Sequence, residues 1–183
     1  MSKVFPEITP ELRDWIARQP MFFVATAPLA ADGLLNCSPK GLGGLTVLDS
    51  LTVGYVDFTG SGVETIAHVR ENGRIVVMLC AFSGAPRILR LYGRGEVVTP
   101  GSAKWADLSQ RFTLGPGARA IVLAHLTRIA DSCGWGVPVF DERTSDRDTL
   151  RRWAENKGDD GLKAYRLEAN RVSLDGLPGI DPA

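Results

Sequence analysis

Short apolar runs, each bounded by turn-forming residues, dominate the first 130 positions of the chain. Runs of this length that are rich in β-branched and aromatic residues are typical of β-strands. The pair Asp32-Gly33 favours a tight hairpin turn between the first two runs. The pattern predicts strands at 22–26, 34–38, two within 46–58, and at 75–82, 87–99 and 118–129.

Helical periodicity is confined to fewer segments. Thr9 and Pro10 suit the start of a helix, and Leu12, Trp15 and Ile16 then share one face at i, i+3 and i+4. Near the C-terminus the pattern predicts two antiparallel helices, the first after a capping-box-like Ser145-x-x-Asp148. The helices predicted after the first are 62–72, 102–112, one from about 145, and 160–171.

These elements predict a β-rich α+β fold. Six or seven antiparallel strands joined by hairpins, with a helix after the fourth, favour a small closed barrel. A length of 183 residues suits a single domain. We therefore expect a barrel domain with its N-terminal helix over residues 1–142, and a helical extension over 143–183 packed on the same domain.

Composition and charge narrow the class of protein. Lys+Arg and Asp+Glu both number 21, so the net charge of zero argues against nucleic-acid binding. One stretch, 81–128, carries seven basic against two acidic residues, a local charge of +5 that indicates either a solvated basic face or a site for a small anion. The longest apolar run, Ile75 to Phe82, has eight residues, which suits a buried strand and not a membrane span.

The cysteines and histidines predict no metal site. Cys37, Cys80 and Cys133 are far apart and odd in number, and the only histidines are His68 and His125. Free cysteines and the absence of an apolar signal core predict a reducing, cytoplasmic location. Each histidine is interpreted as a structural residue, since neither has an obvious partner in the sequence.

Common catalytic motifs are absent. There is no Walker phosphate loop and no Gly-x-Ser-x-Gly elbow, and Gly93-x-Gly95 lacks the third glycine of a dinucleotide fingerprint. The sequence therefore marks no catalytic residue.

Three polar stretches are candidates for ligand binding. Asn36, Ser38 and Lys40 share one strand face by period 2; they either bind a polar ligand edge or face solvent at a strand end. The second stretch runs from a strand into a helix through a serine flanked by glycines. There, backbone N–H groups and hydroxyls form either an anion site or an ordinary serine cap. It contains Asp57, Thr59, Ser61, Gly62 and Thr65.

The third stretch contains Arg87 and Arg90. Three positions apart on a strand, these arginines point to opposite faces, so one is expected to face a ligand or the barrel interior and the other water. Surface ion pairing is the alternative interpretation.

Taken in order, four motifs resemble a known family. They are Asn36-x-Ser38-Pro39-Lys40-Gly41, Thr59-Gly60-Ser61-Gly62 with Glu64-Thr65-Ile66-Ala67, Glu71-Asn72-Gly73-Arg74, and Arg87-x-x-Arg90-x-x-Gly93. Together they resemble the pyridoxamine 5′-phosphate oxidase-like, FMN-binding split-barrel family, over residues 20 to 130. The N-terminal helix and residues 132–138 look like a bacterial subgroup of it. The resemblance implies a split β-barrel of six or seven antiparallel strands with Greek-key connections and flanking helices.

The resemblance also implies a function. It implies an FMN-binding flavoprotein, an oxidoreductase acting on a small molecule, with FMN in two clefts between the subunits of a homodimer. The β-strand from Asn36 would contact the ring, and Lys40 would stabilise the reduced flavin. The turn at Ser61 and the side chain of Arg87 would bind the phosphate. Trp135 would either stack on the flavin ring or pack at the barrel end or in the dimer interface. The predicted cofactor-binding residues are Asn36, Ser38, Lys40, Asp57, Thr59, Ser61, Gly62, Thr65, Arg87 and Trp135.

Departures from the family pattern leave two alternatives. Many members carry an Arg-Lys pair after the turn serine, where this chain has Gly62 and Val63, and vitamer oxidases have Arg-Gln where this chain has Arg87-Ile88. No C-terminal Arg-x-His segment is present, so pyridoxamine phosphate oxidation is not expected. The alternatives are a deazaflavin-dependent reductase, whose acidic cofactor tail suits the basic stretch, and a dimeric module that binds haem or another metabolite without catalysis.

Overall fold

The computed structural model describes residues 3–140 and 149–180. Eight strands form one antiparallel sheet. The predicted strands are all present, with ends shifted by a few residues, and a two-residue strand at the N-terminus was not predicted. The strands are β1 Val4–Phe5, β2 Phe22–Thr26, β3 Asn36–Lys40, β4 Thr46–Asp49, β5 Thr52–Phe58, β6 Arg74–Cys80, β7 Ile88–Val98 and β8 Ala118–Ser132.

The sheet has the topology of a split barrel with a Greek-key arrangement. Its strand order is β3-β2-β6-β7-β8-β5-β4, and β1 pairs with β8. Strands β6, β7 and β8 are consecutive antiparallel neighbours, with α3 in the connection between β7 and β8, and β8 lies beside β5, as in a Greek key. At Tyr92/Gly93 the register between β7 and β8 shifts, which marks a β-bulge or a similar irregularity at this glycine. The predicted fold class is thus confirmed, with eight strands in place of six or seven.

Strand β3 lies two residues later than predicted. Its register on β2 pairs Thr26 with Asn36 and Phe22 with Lys40. Leu34 and Leu35, predicted to be in the strand, fall in the preceding connection and are exposed. In this register Asn36, Ser38 and Lys40 are partly buried, whereas Cys37 and Pro39 are exposed.

Four helices accompany the sheet: α1 Pro10–Ala17, α2 Glu64–Asn72, α3 Trp105–Ser109 and α4 Thr149–Ala169. Thr9 caps α1, as predicted, by accepting a hydrogen bond from the Leu12 N–H at 3.3 Å. Helix α2 begins at Glu64, two residues later than predicted, and ends at Gly73 with φ +70°. Helix α3 is shorter than predicted, because Ser102 to Lys104 form turns before it.

Helix α4 folds back on itself at Gly158, which has non-helical φ and ψ of +63° and 178°. The rings of Trp153 and Tyr165 lie 5.0 Å apart, although twelve residues of straight helix would separate them by about 18 Å. The two antiparallel C-terminal helices are therefore confirmed in outline. The capping-box prediction at Ser145 and Asp148 lies outside the described residues.

The C-terminal segment packs against the barrel. Ile180 is buried in a small apolar cluster with Val63, Ile66 and Ala120, separate from the main core between the sheet faces and α1. The domain boundary predicted at 142/143 lies outside the described residues and stays a prediction. Among the helices that the structure describes, none is long and apolar enough to cross a lipid bilayer.

Candidate functional site

A cavity of about 360 Å³ opens where β3, β5 and the start of α2 meet. This volume lies within the range of small-molecule sites. Strand β3 contributes its inward polar face, β5 its C-terminal end, and the β5–α2 turn its backbone. Of the residues predicted from the sequence, the cavity is lined by Asn36, Ser38, Lys40, Asp57, Ser61, Gly62 and Thr65.

A buried ion group forms one wall of the cavity. Asp57 is 2% exposed and accepts a hydrogen bond from Arg119 Nε at 2.7 Å through Oδ2. Lys40 Nζ lies 3.5 Å from Asp57 Oδ1. Two cations thus face one buried carboxylate, which leaves positive charge for a ligand, although Glu64 also lines the cavity.

Arg119 has unused hydrogen-bonding capacity beside the start of α2. Its Nη2 donates to the Gly62 carbonyl at 2.6 Å, while Nη1 is buried without a hydrogen-bond partner among the described residues. No side chain caps α2 at Val63, so the serine-cap interpretation of Ser61 is wrong. Arg119 and the first-turn residues of α2 line the same cavity, an arrangement suited to an anionic group.

A hydrogen-bond network supports the β3 side of the cavity. Asn36 Nδ2 donates to Thr65 Oγ1 at 2.9 Å and to Thr26 Oγ1 at 3.2 Å. The Ser38 hydroxyl donates to Asn36 Oδ1 at 3.0 Å, and Thr26 Oγ1 lies 3.0 Å from His68 Nδ1. Asn36 and Ser38 are therefore held in fixed positions at the cavity wall.

Tyr55 lies behind this network and stays protonated. Burial raises the pKa of Tyr55 well above its usual value, and the charge of Asp57 raises it further, against smaller opposing effects of Thr65 and Arg119. The phenol packs edge-on against Phe22 with ring centroids 5.3 Å apart. Tyr55 is thus a neutral, structural residue and does not itself line the cavity.

Thr59 supports the cavity and does not line it. Its hydroxyl donates to the Gly117 carbonyl at 2.9 Å and accepts a hydrogen bond from Arg166 Nε at 2.9 Å. Asn170 Nδ2 donates to the Gly60 carbonyl at 2.9 Å. Helix α4 and the segment after it therefore fix the β5–α2 turn from outside.

Two predicted site residues lie elsewhere in the chain's fold. Arg87 Nη2 pairs with Asp131 Oδ2 at 2.9 Å, and its guanidinium lies 5.4 Å from the ring centroid of Trp15. Trp135 is on the loop after β8 and is 83% exposed. Neither lines the cavity within one chain. Their roles in binding stay predictions, and both would need a second copy of the chain to reach a cavity.

The basic stretch 81–128 does not form one patch. Successive side chains of β7 and β8 lie on opposite faces of the sheet, and other basic residues lie around α3. The basic side chains of this stretch therefore contact separate partners. Six of the seven basic side chains bind different groups, and only Arg119 reaches the cavity. The pairs are Arg87–Asp131, Arg90–Ser132, Arg94–Asn72, Lys104–Glu96, Arg111–Leu48 and Arg119–Asp57.

Sequence reasoning missed Arg119 as a site residue. The signal was a cation directly before the unbroken apolar run of the long strand from Ala118, and it is only 4% exposed in the structure. Burying such a charge is costly unless it is paired or functional. Its guanidinium bonds the backbone at Gly62, where many family members carry the basic pair that this chain lacks.

A second cavity, of about 600 Å³, adjoins the first. The two share Leu42, Phe58 and Leu150 in their walls. The second is lined by apolar residues, with one cation and one carboxylate, and includes Leu114, Pro116, Arg151 and Glu155. In the described part of the chain, no three His, Cys, Asp or Glu residues are grouped as metal ligands would be.

A split barrel with a polar cavity between its third and fifth strands defines the class of this protein, and comparisons with known proteins give its family. The family described as pyridoxamine 5′-phosphate oxidase matches residues 8–131. The pyridoxamine 5′-phosphate oxidase family protein ustO of Aspergillus flavus is 40% identical over 201 residues, covering 100% of this chain and 80% of its own. This chain belongs to the pyridoxamine 5′-phosphate oxidase family.

Solved structures show the same fold. HupZ from Group A Streptococcus matches with a TM-score of 0.51 and 27% identity, covering 67% of this chain and 91% of its own. A second HupZ structure, of a variant, matches with a TM-score of 0.53 and 26% identity, covering 68% and 99%. The family resemblance predicted from the ordered motifs is confirmed.

Proposed function

We propose that this protein binds flavin mononucleotide in the cavity of about 360 Å³ and uses it as an oxidoreductase on a small molecule. The observation that carries the proposal is the cationic Arg119, which lines the cavity beside the start of α2, where no side chain caps the helix. A guanidinium N–H and a helix N-terminus together suit a phosphate dianion. Family membership supports the same cofactor.

The residues present fit the other parts of FMN as well. The flavin ring has a polar edge of two carbonyls around an N–H, and a largely apolar remainder. Asn36, Ser38 and Lys40 supply an amide, a hydroxyl and an ammonium in one row. The adjoining apolar cavity has Phe58 and Leu114 in its walls. It suits the flavin ring, or a substrate packed against that ring.

Each residue would then have a defined task. Arg119 and the α2 N-terminus bind and orient the phosphate, and Asp57 holds Arg119 in place. Lys40 brings positive charge to the polar face of β3, which favours negative charge on a bound ring. When bound, FMN would supply hydride or electron transfer. The chain contributes binding, orientation and this local charge.

The alternatives receive less support from the site. A deazaflavin tail carrying several negative charges suits a broad basic patch, and the basic stretch is divided among separate partners. Haem binding commonly uses a histidine ligand. His68 is fully buried and His125 pairs with Glu96 at 3.0 Å, and neither lines the cavity.

The absorption spectrum of the purified protein tests the proposal. After incubation with FMN and passage over a desalting column, we expect flavin bands near one per chain, because binding between fixed donors slows release. Riboflavin, which lacks the phosphate, is the matched control and should be retained less. A protein that lets FMN pass and retains a deazaflavin or haem would contradict the proposal.

We also propose that the protein is a homodimer. Trp135, Val139 and Phe140 are 83%, 58% and 57% exposed on the loop after β8, a concentration of apolar surface typical of an interface. A second copy seated there would also explain how Trp135 and Arg87 could approach a cofactor. We expect light scattering to give twice the 19.8-kDa chain mass, and Trp135→Ser to shift it toward the monomer. A monomeric wild type would contradict this proposal.

A reducing, cytoplasmic location is proposed from the thiols. Cys37 and Cys133 are exposed, Cys80 is buried, and all three are free. Exposed free thiols persist best in a reducing compartment.

A further inference from the structure

A chain of side chains connects the C-terminal segment to the cavity. Asp175 Oδ2 lies 3.8 Å from His68 Nε2, which is too far for a hydrogen bond, so this buried nitrogen has the carboxylate as a charged neighbour but no hydrogen-bond partner among the described residues. His68 Nδ1 lies 3.0 Å from Thr26 Oγ1. Thr26 Oγ1 bonds to Asn36, which bonds to Ser38 at the cavity wall. His68 is completely buried and Thr26 is 5% exposed, so water cannot substitute for these partners.

The turn that carries Asp175 is well fixed. Ser173 N–H donates to the Leu177 carbonyl at 2.9 Å, and Gly176, with φ +75°, closes the turn. Leu34 N–H donates to both carboxylate oxygens of Asp175, at 3.3 and 3.1 Å. The carboxylate is thereby held beside the buried imidazole and remains an acceptor.

When His68 is neutral, two sets of hydrogen positions give the buried Thr26 hydroxyl proton an acceptor among the described residues. In the first, Asn36 donates to Thr26, Thr26 donates to His68 Nδ1, and the His68 proton is on Nε2, facing Asp175. In the second, the Asn36 amide is flipped, Thr26 donates to Asn36, and the proton is on Nδ1. His68 Nε2 would then present a lone pair to the Asp175 carboxylate. Repulsion between these two acceptors disfavours the second set.

We propose that Asp175 fixes the tautomer of His68 and, through Thr26, the orientation of the Asn36 amide at the cavity. In the favoured set Asn36 Oδ1 accepts the proton of Ser38, so Ser38 Oγ offers only acceptor capacity to a ligand. In the flipped set Asn36 would donate to Ser38, whose own proton would be free for a ligand carbonyl. Asp175 and His68 are thus positioning residues that set the polarity of Ser38.

This assignment predicts what the ligand must bring to Ser38. Ser38 Oγ accepts a hydrogen bond from a ligand N–H. Lys40, two residues along the same strand face, donates to the ligand carbonyl beside that N–H. The imide edge of a flavin has that order of groups. The ligand part of the inference rests on the proposed function, whereas the tautomer of His68 does not.

Nitrogen NMR tests the tautomer directly. With only two histidines, a long-range proton–nitrogen spectrum of protein labelled with 15N-histidine contains two rings. We expect His68 to carry its proton on Nε2 at neutral pH, and Asp175→Asn, which keeps an acceptor for Leu34 but removes the charge, to move a substantial fraction to Nδ1. Glu96→Gln, which changes the surroundings of His125 and not those of His68, assigns the rings. Glu168→Gln on the exposed face of α4 is the matched surface control.

Several results would overturn the inference. They are a proton on Nδ1 in the wild type, a doubly protonated ring, or a tautomer unchanged by Asp175→Asn in a protein that retains its melting temperature. For the ligand part, FMN should bind roughly three- to tenfold more tightly than FMN methylated at the imide nitrogen, and Asp175→Asn should reduce that ratio. Equal binding of the two would refute the polarity of Ser38. A failure to bind either refutes the proposed function and leaves the tautomer result standing.

Discussion

Arg119→Lys is expected to weaken FMN binding by roughly ten- to hundredfold, since one charge-assisted hydrogen bond contributes about 1.5–3 kcal/mol. Arginine at this position bonds Asp57 and Gly62, lines the cavity, and has its buried Nη1 without a hydrogen-bond partner among the described residues. Lysine keeps a charge for Asp57 but lacks the planar fork needed for all three directions. Quenching of flavin fluorescence on titration measures the change.

Two controls separate phosphate binding from general damage. Riboflavin affinity should be unchanged in Arg119→Lys, because riboflavin has no phosphate. Arg111→Lys makes the same replacement at an exposed arginine that bonds only the Leu48 carbonyl, and should leave FMN affinity unchanged. An Arg119→Lys protein that binds FMN within twofold of the wild type would show that Arg119 does not hold the phosphate.

Arg119→Met and Asp57→Leu are each expected to lower the free energy of unfolding by about 3–5 kcal/mol, because each leaves a buried charge without its partner. After Arg119→Met, Asp57 retains only Lys40, at 3.5 Å. The double variant removes both charges and should be less destabilised than the sum of the single variants, by about 0.5–3 kcal/mol. Urea unfolding of the ligand-free protein measures all three.

The exposed pair Lys104–Glu96 is the control for this cycle. Its Lys104 side chain is 63% exposed, so Lys104→Met should change stability by less than about 1 kcal/mol. If Arg119→Met and Asp57→Leu are as mild as Lys104→Met, the buried ion group does not stabilise the cavity wall.

Much of the fold follows from local patterns. Apolar runs and turn residues predict the strands to within a few positions, because a sheet that buries one face imposes its period on the sequence. The two-residue β1 carries too few residues for any pattern. The shift of β3 to Asn36–Lys40 came from its register with β2, which depends on the partner strand and not on the segment itself.

The candidate site was predicted only in part for a related reason. Asn36, Ser38 and Lys40 lie on one short strand, and Ser61, Gly62 and Thr65 on one turn, so local spacing groups each set. Arg119 comes 62 residues after Asp57 and reaches it only through the pairing of β5 with β8. The connection from Asp175 to His68 depends on the docking of the C-terminal segment, which no local signal predicts.

We expect the cavity beside Arg119 to bind the phosphate of a flavin. Parallel titrations of the wild-type protein with FMN and riboflavin, followed by flavin fluorescence at fixed ionic strength, test it most directly. We expect FMN to bind at least about tenfold more tightly, since only FMN engages Arg119 and the start of α2. Equal affinities for the two flavins, or no binding of either, would contradict the claim.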